Sequence, residues 1–118
     1  MSTEIGQRAE TLAAEYLIER GCQVLERNWR TKICEIDLVV RDGAGIIRFV
    51  EVKYRRSNSY GSGFDYITPD KVRRLRRAAL IWMSVNRQEG DYRIDVIAVH
   101  EGKDGPELQF LPNAVNEV

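Results

Sequence analysis

The run from Glu35 to Tyr54 constrains this chain most. Glu35 to Arg41 alternates Ile36, Leu38 and Val40 with Glu35, Asp37 and Val39, Asp42-Gly43-Ala44-Gly45 is turn chemistry, and Ile46 to Tyr54 is β-branched and aromatic. Two such runs joined by so short a turn predict an antiparallel hairpin. With Gly43-Ala44-Gly45 as its loop, Asp37 falls opposite Glu51, their Cβ atoms roughly 5 Å apart. Like charges placed so repel, and the register is costly unless a cation, a proton or a nearby lysine compensates.

The flanking segments supply helices and further strands. Ser2 or Thr3 caps a helix running to about Arg20, with Ile5, Ala9, Leu12, Ala13, Tyr16 and Leu17 at helical spacing and Gly21 as the stop. Residues 22–29 suit an extended segment. Residues 55–66 have no period and are rich in Ser and Gly, which reads as a loop. Thr68-Pro69 opens a helix to about Val85, with Val72, Leu75, Ala79, Trp82 and Met83 as its apolar stripe. Tyr92 to Val99 and Leu108 to Leu111 complete the strands. The order α-β-β-β-α-β-β predicts an α/β fold, a mixed sheet flanked by helices, in one domain spanning 1–118.

Several function classes are disfavoured by content. Cys22 and Cys34 are the only cysteines and His100 the only histidine, which makes neither a disulfide framework nor a zinc set, and leaves no Ser-His or Cys-His pair with sequence support. No apolar run approaches the roughly 20 residues of a membrane helix, and Met1 to Arg8 has no signal-peptide pattern, so the expected address is cytoplasmic, with no membrane partner. Lys and Arg number 18 against 18 Asp and Glu, but unevenly: residues 53–77 hold eight basic side chains against Asp65 and Asp70. A chain that is neutral overall can therefore still present one positive face.

Glu51 and Lys53 lie two apart on the second hairpin strand and share the face of Ile47 and Phe49. Paired carboxylates beside a lysine suit Mg²⁺, a hard ion that takes one or two carboxylates plus phosphate oxygens, and Mn²⁺ would serve in its place. Asp37, Glu51 and the carbonyl of Val52 are the candidate metal ligands, and Lys53 would orient a water or stabilise charge on a phosphate. Metal-assisted phosphodiester hydrolysis is the chemistry this pattern suits. An exposed Glu-x-Lys ion pair of little energetic weight accounts for the same spacing.

Glu35-Ile36-Asp37-Leu38 followed by Phe49-Val50-Glu51-Val52-Lys53-Tyr54-Arg55 resembles the core of the PD-(D/E)xK nucleases, the restriction-endonuclease-like superfamily, and more closely the YraN family of small bacterial proteins. The similarity runs through Gly6 to Ala13, Tyr16-Leu17, Gly21, Asn28-Trp29-Arg30, Tyr60-Gly61, Lys71 to Leu75 and Arg93 to Ile97. It implies a restriction-endonuclease-like mixed sheet with Asp37 and Glu51 as metal ligands and Lys53 catalytic. The Holliday-junction-resolvase-like branch adds a first-helix glutamate, matched here by Glu10. Two departures stand out: Cys34 replaces the usual Gly before Glu-Ile-Asp, and Ile36 occupies the superfamily's proline position.

Arg55, Arg56, Lys71 and Arg74 would follow a phosphate backbone and Tyr60 would stack on an unpaired base, although a solvated helix face and loop packing use the same residues. The leading expectation is a Mg²⁺-dependent endonuclease acting on DNA, in branched or partly single-stranded form, with DNA rather than RNA coming from the resemblance alone. A non-catalytic nucleic-acid-binding module and a protein-interaction domain are the alternatives. A homodimer is expected only by analogy with resolvases, which cut symmetric junctions as dimers.

Overall fold

The structure, a computed structural model, describes residues 3–55 and 68–113. Its elements are α1 (Glu4–Glu19), β1 (Gln23–Arg30), β2 (Glu35–Arg41), β3 (Ile47–Arg55), α2 (Pro69–Val85), β4 (Tyr92–Gly102) and β5 (Gly105–Leu111). The strands form one mixed sheet in the order β1-β2-β3-β4-β5. Among the described residues only β3 and β4 pair in parallel, and α2 lies in the connection between them. This is the element order expected of a restriction-endonuclease-like α/β fold. The last two strands begin or end beyond the sequence expectation, since backbone pairing continues through residues such as His100 and Glu107 whose side chains carry no strand signal.

Local chemistry fixes the joints. Thr3 Oγ1 accepts from Gly6 N at 3.0 Å to start α1, and Thr68 Oγ1 accepts from Lys71 N at 3.1 Å to start α2. In the β2–β3 turn Asp42 Oδ1 accepts from the amides of Ala44 and Ile46, and Gly45 takes φ 89°. The turn sets Leu38 opposite Val50 and Val40 opposite Arg48, the register read from the sequence.

The two helices pack on opposite faces. α2 covers Ile36, Val39, Ile47, Phe49 and Ile94 with Leu75, Ala78, Ala79, Trp82 and Met83, and Phe49 meets Trp82 edge-on at 5.6 Å. α1 covers Leu38, Val40, Val50, Ile97 and Val99 with Ala9, Ala13, Ala14 and Leu17. The buried stripe of α1 is rotated from the expected one. Ile5 is exposed, and Glu10, Ala13, Ala14 and Leu17 form the inward line. That rotation carries an acidic side chain into the protein.

The fully buried carboxylate on β4 is paired. Asp95, fully buried on β4, receives both Oδ atoms' bonds from Arg48 Nη1 at 3.1 Å, while Arg48 Nε reaches Asp42 at 2.9 Å. Asn113 N also donates to Asp95, at 2.8 Å. Asp95 is thus a structural partner of Arg48. Cys22 and Cys34 are free, and burial pushes both thiols up, which keeps them unreactive. No helix among the described residues is long and apolar enough to cross a membrane.

Candidate functional site

Side-chain alternation breaks in β1 at a bulge between Val24 and Glu26, and again where β1 and β2 meet at Asn28 and Asp37. In β2, Ile36 and Val39 both pack with α2, whereas Leu38 and Val40 pack with α1, so strict period-two order fails between Ile36 and Leu38, at Asp37. In β1, Glu26 bonds Trp82 of α2 and Trp29 packs on that side, yet Arg27 and Asn28 both reach α1, through Thr11 and Glu10. Asn28 has φ 51°, a left-handed backbone inside a strand, which asparagine tolerates better than most residues. The register of β1 places it across from Asp37, between the pairs Arg27–Leu38 and Trp29–Ile36.

The β2–β3 ladder ends at Leu38–Val50. Asp37 therefore does not sit in an intact ladder pair with Glu51, as the hairpin alone predicts. Its Oδ2 instead accepts from Val52 N at 2.8 Å, taking a backbone donor of β3 beyond the last paired residues. This brings the Asp37 carboxyl within hydrogen-bond contact of Glu51 and into the field of Glu10. Burial, then Glu51, drive the Asp37 carboxyl up to about 8 against the opposing bond from Val52 N. The costly juxtaposition inferred from register is present, in altered geometry.

Glu10, Glu35 and Asp37 each offer a carboxylate oxygen, and these oxygens lie within 4.8 Å of one another. Asn28 Nδ2 donates to Glu10 Oε1 at 2.8 Å and to Glu35 Oε1 at 3.2 Å, tying α1 to β2 through two carboxylates. Arg30 Nε holds the other oxygen of Glu35 at 2.9 Å. On the Glu51 side two ammoniums converge on one oxygen: Lys53 Nζ lies 3.3 Å and Lys71 Nζ 3.4 Å from Glu51 Oε2. Glu51 itself is buried, so this is not the exposed Glu-x-Lys pair that the spacing alone allows.

The structure thus brings together Glu10, Asp37, Glu51 and Lys53, with the Val52 backbone against Asp37. Lys71, expected on a phosphate-facing surface, lies in this site because the first turn of α2 abuts β3. Arg55 is buried at 8% exposure and forms no part of an outer basic face. Arg74 is on the outer side of α2, where it pairs with Asp70 at 3.2 Å. Arg56 and Tyr60 lie outside the described residues. Glu35 and Asn28 join the site without having been singled out from the sequence. The strand period already put Glu35 on the face of Asp37, but nothing local signals the left-handed backbone of Asn28.

The donor set is one a hard divalent cation fits: carboxylate oxygens of Glu10 from α1 and of Glu35 and Asp37 from β2, with Glu51 of β3 against Asp37 and crowding enough that Asp37 stays protonated near neutral pH. The fold and the site define an α/β protein with acids and lysines gathered where two antiparallel strands part. The chain belongs to the uncharacterised protein family UPF0102, whose profile matches residues 9–99. It is 45% identical over 114 residues to the UPF0102 protein of Shewanella sediminis and 41% identical over 117 residues to that of Vibrio campbellii, in each case across 97% of this chain and 93% of the relative. Among solved structures it is similar to Pyrococcus furiosus SfsA in complex with Ca²⁺, at 17% identity and TM-score 0.42, covering 92% of this chain and 64% of that one.

Proposed function

We propose that this protein is a divalent-cation-dependent nuclease that hydrolyses phosphodiester bonds in DNA, with Asp37 and Glu51 as cation ligands. One observation carries the reading: the Asp37 carboxyl, held against Glu51 and Glu10 at the parted end of β2 and β3, is pushed up to about 8. An arrangement that costs stability in this way is the kind kept for chemistry. The resemblance to PD-(D/E)xK nucleases supports the same assignment for Asp37, Glu51 and Lys53.

Asp37 and Glu51 would hold the cation, with the Val52 carbonyl as a further oxygen donor. When bound, Mg²⁺ or Mn²⁺ supplies Lewis-acid polarisation of the phosphate and makes a water acidic enough to attack at neutral pH. Lys53, anchored on Glu51 Oε2, would bring its ammonium to the reacting phosphate and stabilise charge that develops there. Glu10 and Glu35, braced by Asn28, add negative charge on the α1 side, where Glu10 would assist by taking a proton from water. Branched or partly single-stranded DNA is the substrate form suggested by the resolvase-like glutamate at position 10.

The test compares wild type, Asp37→Ala and Lys53→Ala on labelled linear, single-stranded, flapped and four-way-junction DNA with Mg²⁺, Mn²⁺ or EDTA. Cleavage that needs the cation and disappears in both variants is the expected result. Metal-independent binding without cleavage on every substrate would favour a nucleic-acid-binding module, and activity surviving in both variants would overturn the site.

A further inference from the structure

Lys71 stands in an unfavourable place for a lysine. It lies in the first turn of α2, where the helix macrodipole favours acids, and Asp70 beside it is the residue type expected there. Its side chain is only about a quarter exposed and its ammonium ends 3.4 Å from Glu51 Oε2, the same oxygen that Lys53 reaches from the strand at 3.3 Å. One ammonium neutralises one carboxylate. The second is surplus, sits beside a like charge, and comes from a separate element, so it can leave without disturbing β3.

We infer that Lys71 is a second phosphate-directed residue of the site, parked on Glu51 in the cation-free protein and released to a substrate phosphate oxygen when a divalent cation occupies Glu51. This rests on the nuclease reading for its substrate class, but it makes a separate claim: the contribution of Lys71 to DNA affinity exists only when the cation is present. An outer-face lysine that simply follows the backbone would contribute in both conditions, by screening-sensitive attraction alone. A purely structural ion pair would contribute in neither.

The experiment measures binding of a labelled four-way junction and a labelled duplex to wild type, Lys71→Met and Lys71→Arg, in Ca²⁺ and in EDTA at fixed ionic strength. Ca²⁺ takes the same oxygen ligands as Mg²⁺. Lys71→Met is expected to lose about fivefold or more in affinity with Ca²⁺ and less than about twofold in EDTA, with Lys71→Arg keeping most of the Ca²⁺-linked affinity. In the absence of DNA, Lys71→Met is expected to bind Mn²⁺ several-fold more tightly than wild type, because a competing ammonium has been removed from Glu51. Equal losses in both buffers, or no loss in either, overturn the proposal. Failure of the nuclease reading is read separately: Ca²⁺-conditional loss without cleavage in Mg²⁺ would leave the role of Lys71 standing, whereas cleavage with no Ca²⁺-conditional loss would remove it. Thermal unfolding of each variant checks that α2 is intact, and Lys71→Gln repeats the comparison should the methionine variant fail to fold.

Discussion

Replacing Asp37 by Asn should make the protein more stable while removing its chemistry. The carboxyl is about 8 in the folded chain and near the ordinary 3.8 when unfolded, because burial and then Glu51 oppose its ionisation in the fold. A group whose folded value is raised loses stabilising weight as pH climbs between the two values, since the unfolded chain ionises freely and the folded one does not. A gap of roughly four units at 1.36 kcal/mol each sets a ceiling of about 6 kcal/mol at pH 9. Relaxation of the strands and sharing of the proton with Glu51 take part of that cost, so a gain of about 2 kcal/mol is expected for Asp37→Asn. The amide oxygen can still accept from Val52 N, which preserves the seam between β2 and β3. Urea unfolding in EDTA at pH 5, 7 and 9 reads the effect. The advantage of the variant should be about a third of its full size or less at pH 5, grow through pH 7 and level off above about pH 8. An advantage that does not grow with pH, or a variant less stable than wild type at pH 9, would refute the electrostatic account of Asp37.

Cation affinity should follow the same proton with the opposite sense: Mg²⁺ or Mn²⁺ must displace it, so calorimetric affinity should rise by up to about tenfold per pH unit towards pH 8 and flatten beyond. Asn28→Gly keeps the left-handed backbone but loses the amide that bridges Glu10 and Glu35, and should weaken Mn²⁺ binding while changing stability by about 1 kcal/mol or less in urea. Asn28→Val, which resists φ 51°, should cost more stability than the glycine variant by the same measurement. Arg48→Met leaves the fully buried Asp95 without its guanidinium and should destabilise by about 3 kcal/mol or more at neutral pH, with the loss shrinking in acid as Asp95 protonates.

The hairpin was legible because turn chemistry and β-branched alternation agree, and the observed register places Val50 against Leu38 as those residues dictate. The α2 stripe was equally plain in Val72, Leu75, Ala79, Trp82 and Met83. Glu10 was reached by resemblance, yet a periodic signal was there: with Ala13, Ala14 and Leu17 it completes an i, i+3, i+4, i+7 line. Small alanines permit that face to lie close to the sheet, whereas the bulkier Ile5 drew the expected stripe towards the solvent side. The phase break at Asn28 and Asp37 was hidden, because it depends on a backbone torsion that asparagine tolerates but does not impose. The place of Lys71 beside Glu51 was hidden for a related reason. A run of basic residues on a helix shows which can face outward, but not that the first turn meets a buried glutamate on β3.

The most direct measurement is anomalous diffraction from crystals of the wild-type protein soaked in Mn²⁺, collected beside crystals of Asp37→Asn. The account predicts one strong peak within coordination distance of the Asp37 and Glu51 carboxylates in wild type, and none there in the variant. A wild-type site without a peak at saturating Mn²⁺, or a peak unchanged in Asp37→Asn, would contradict the assignment of these acids as the cation-binding centre.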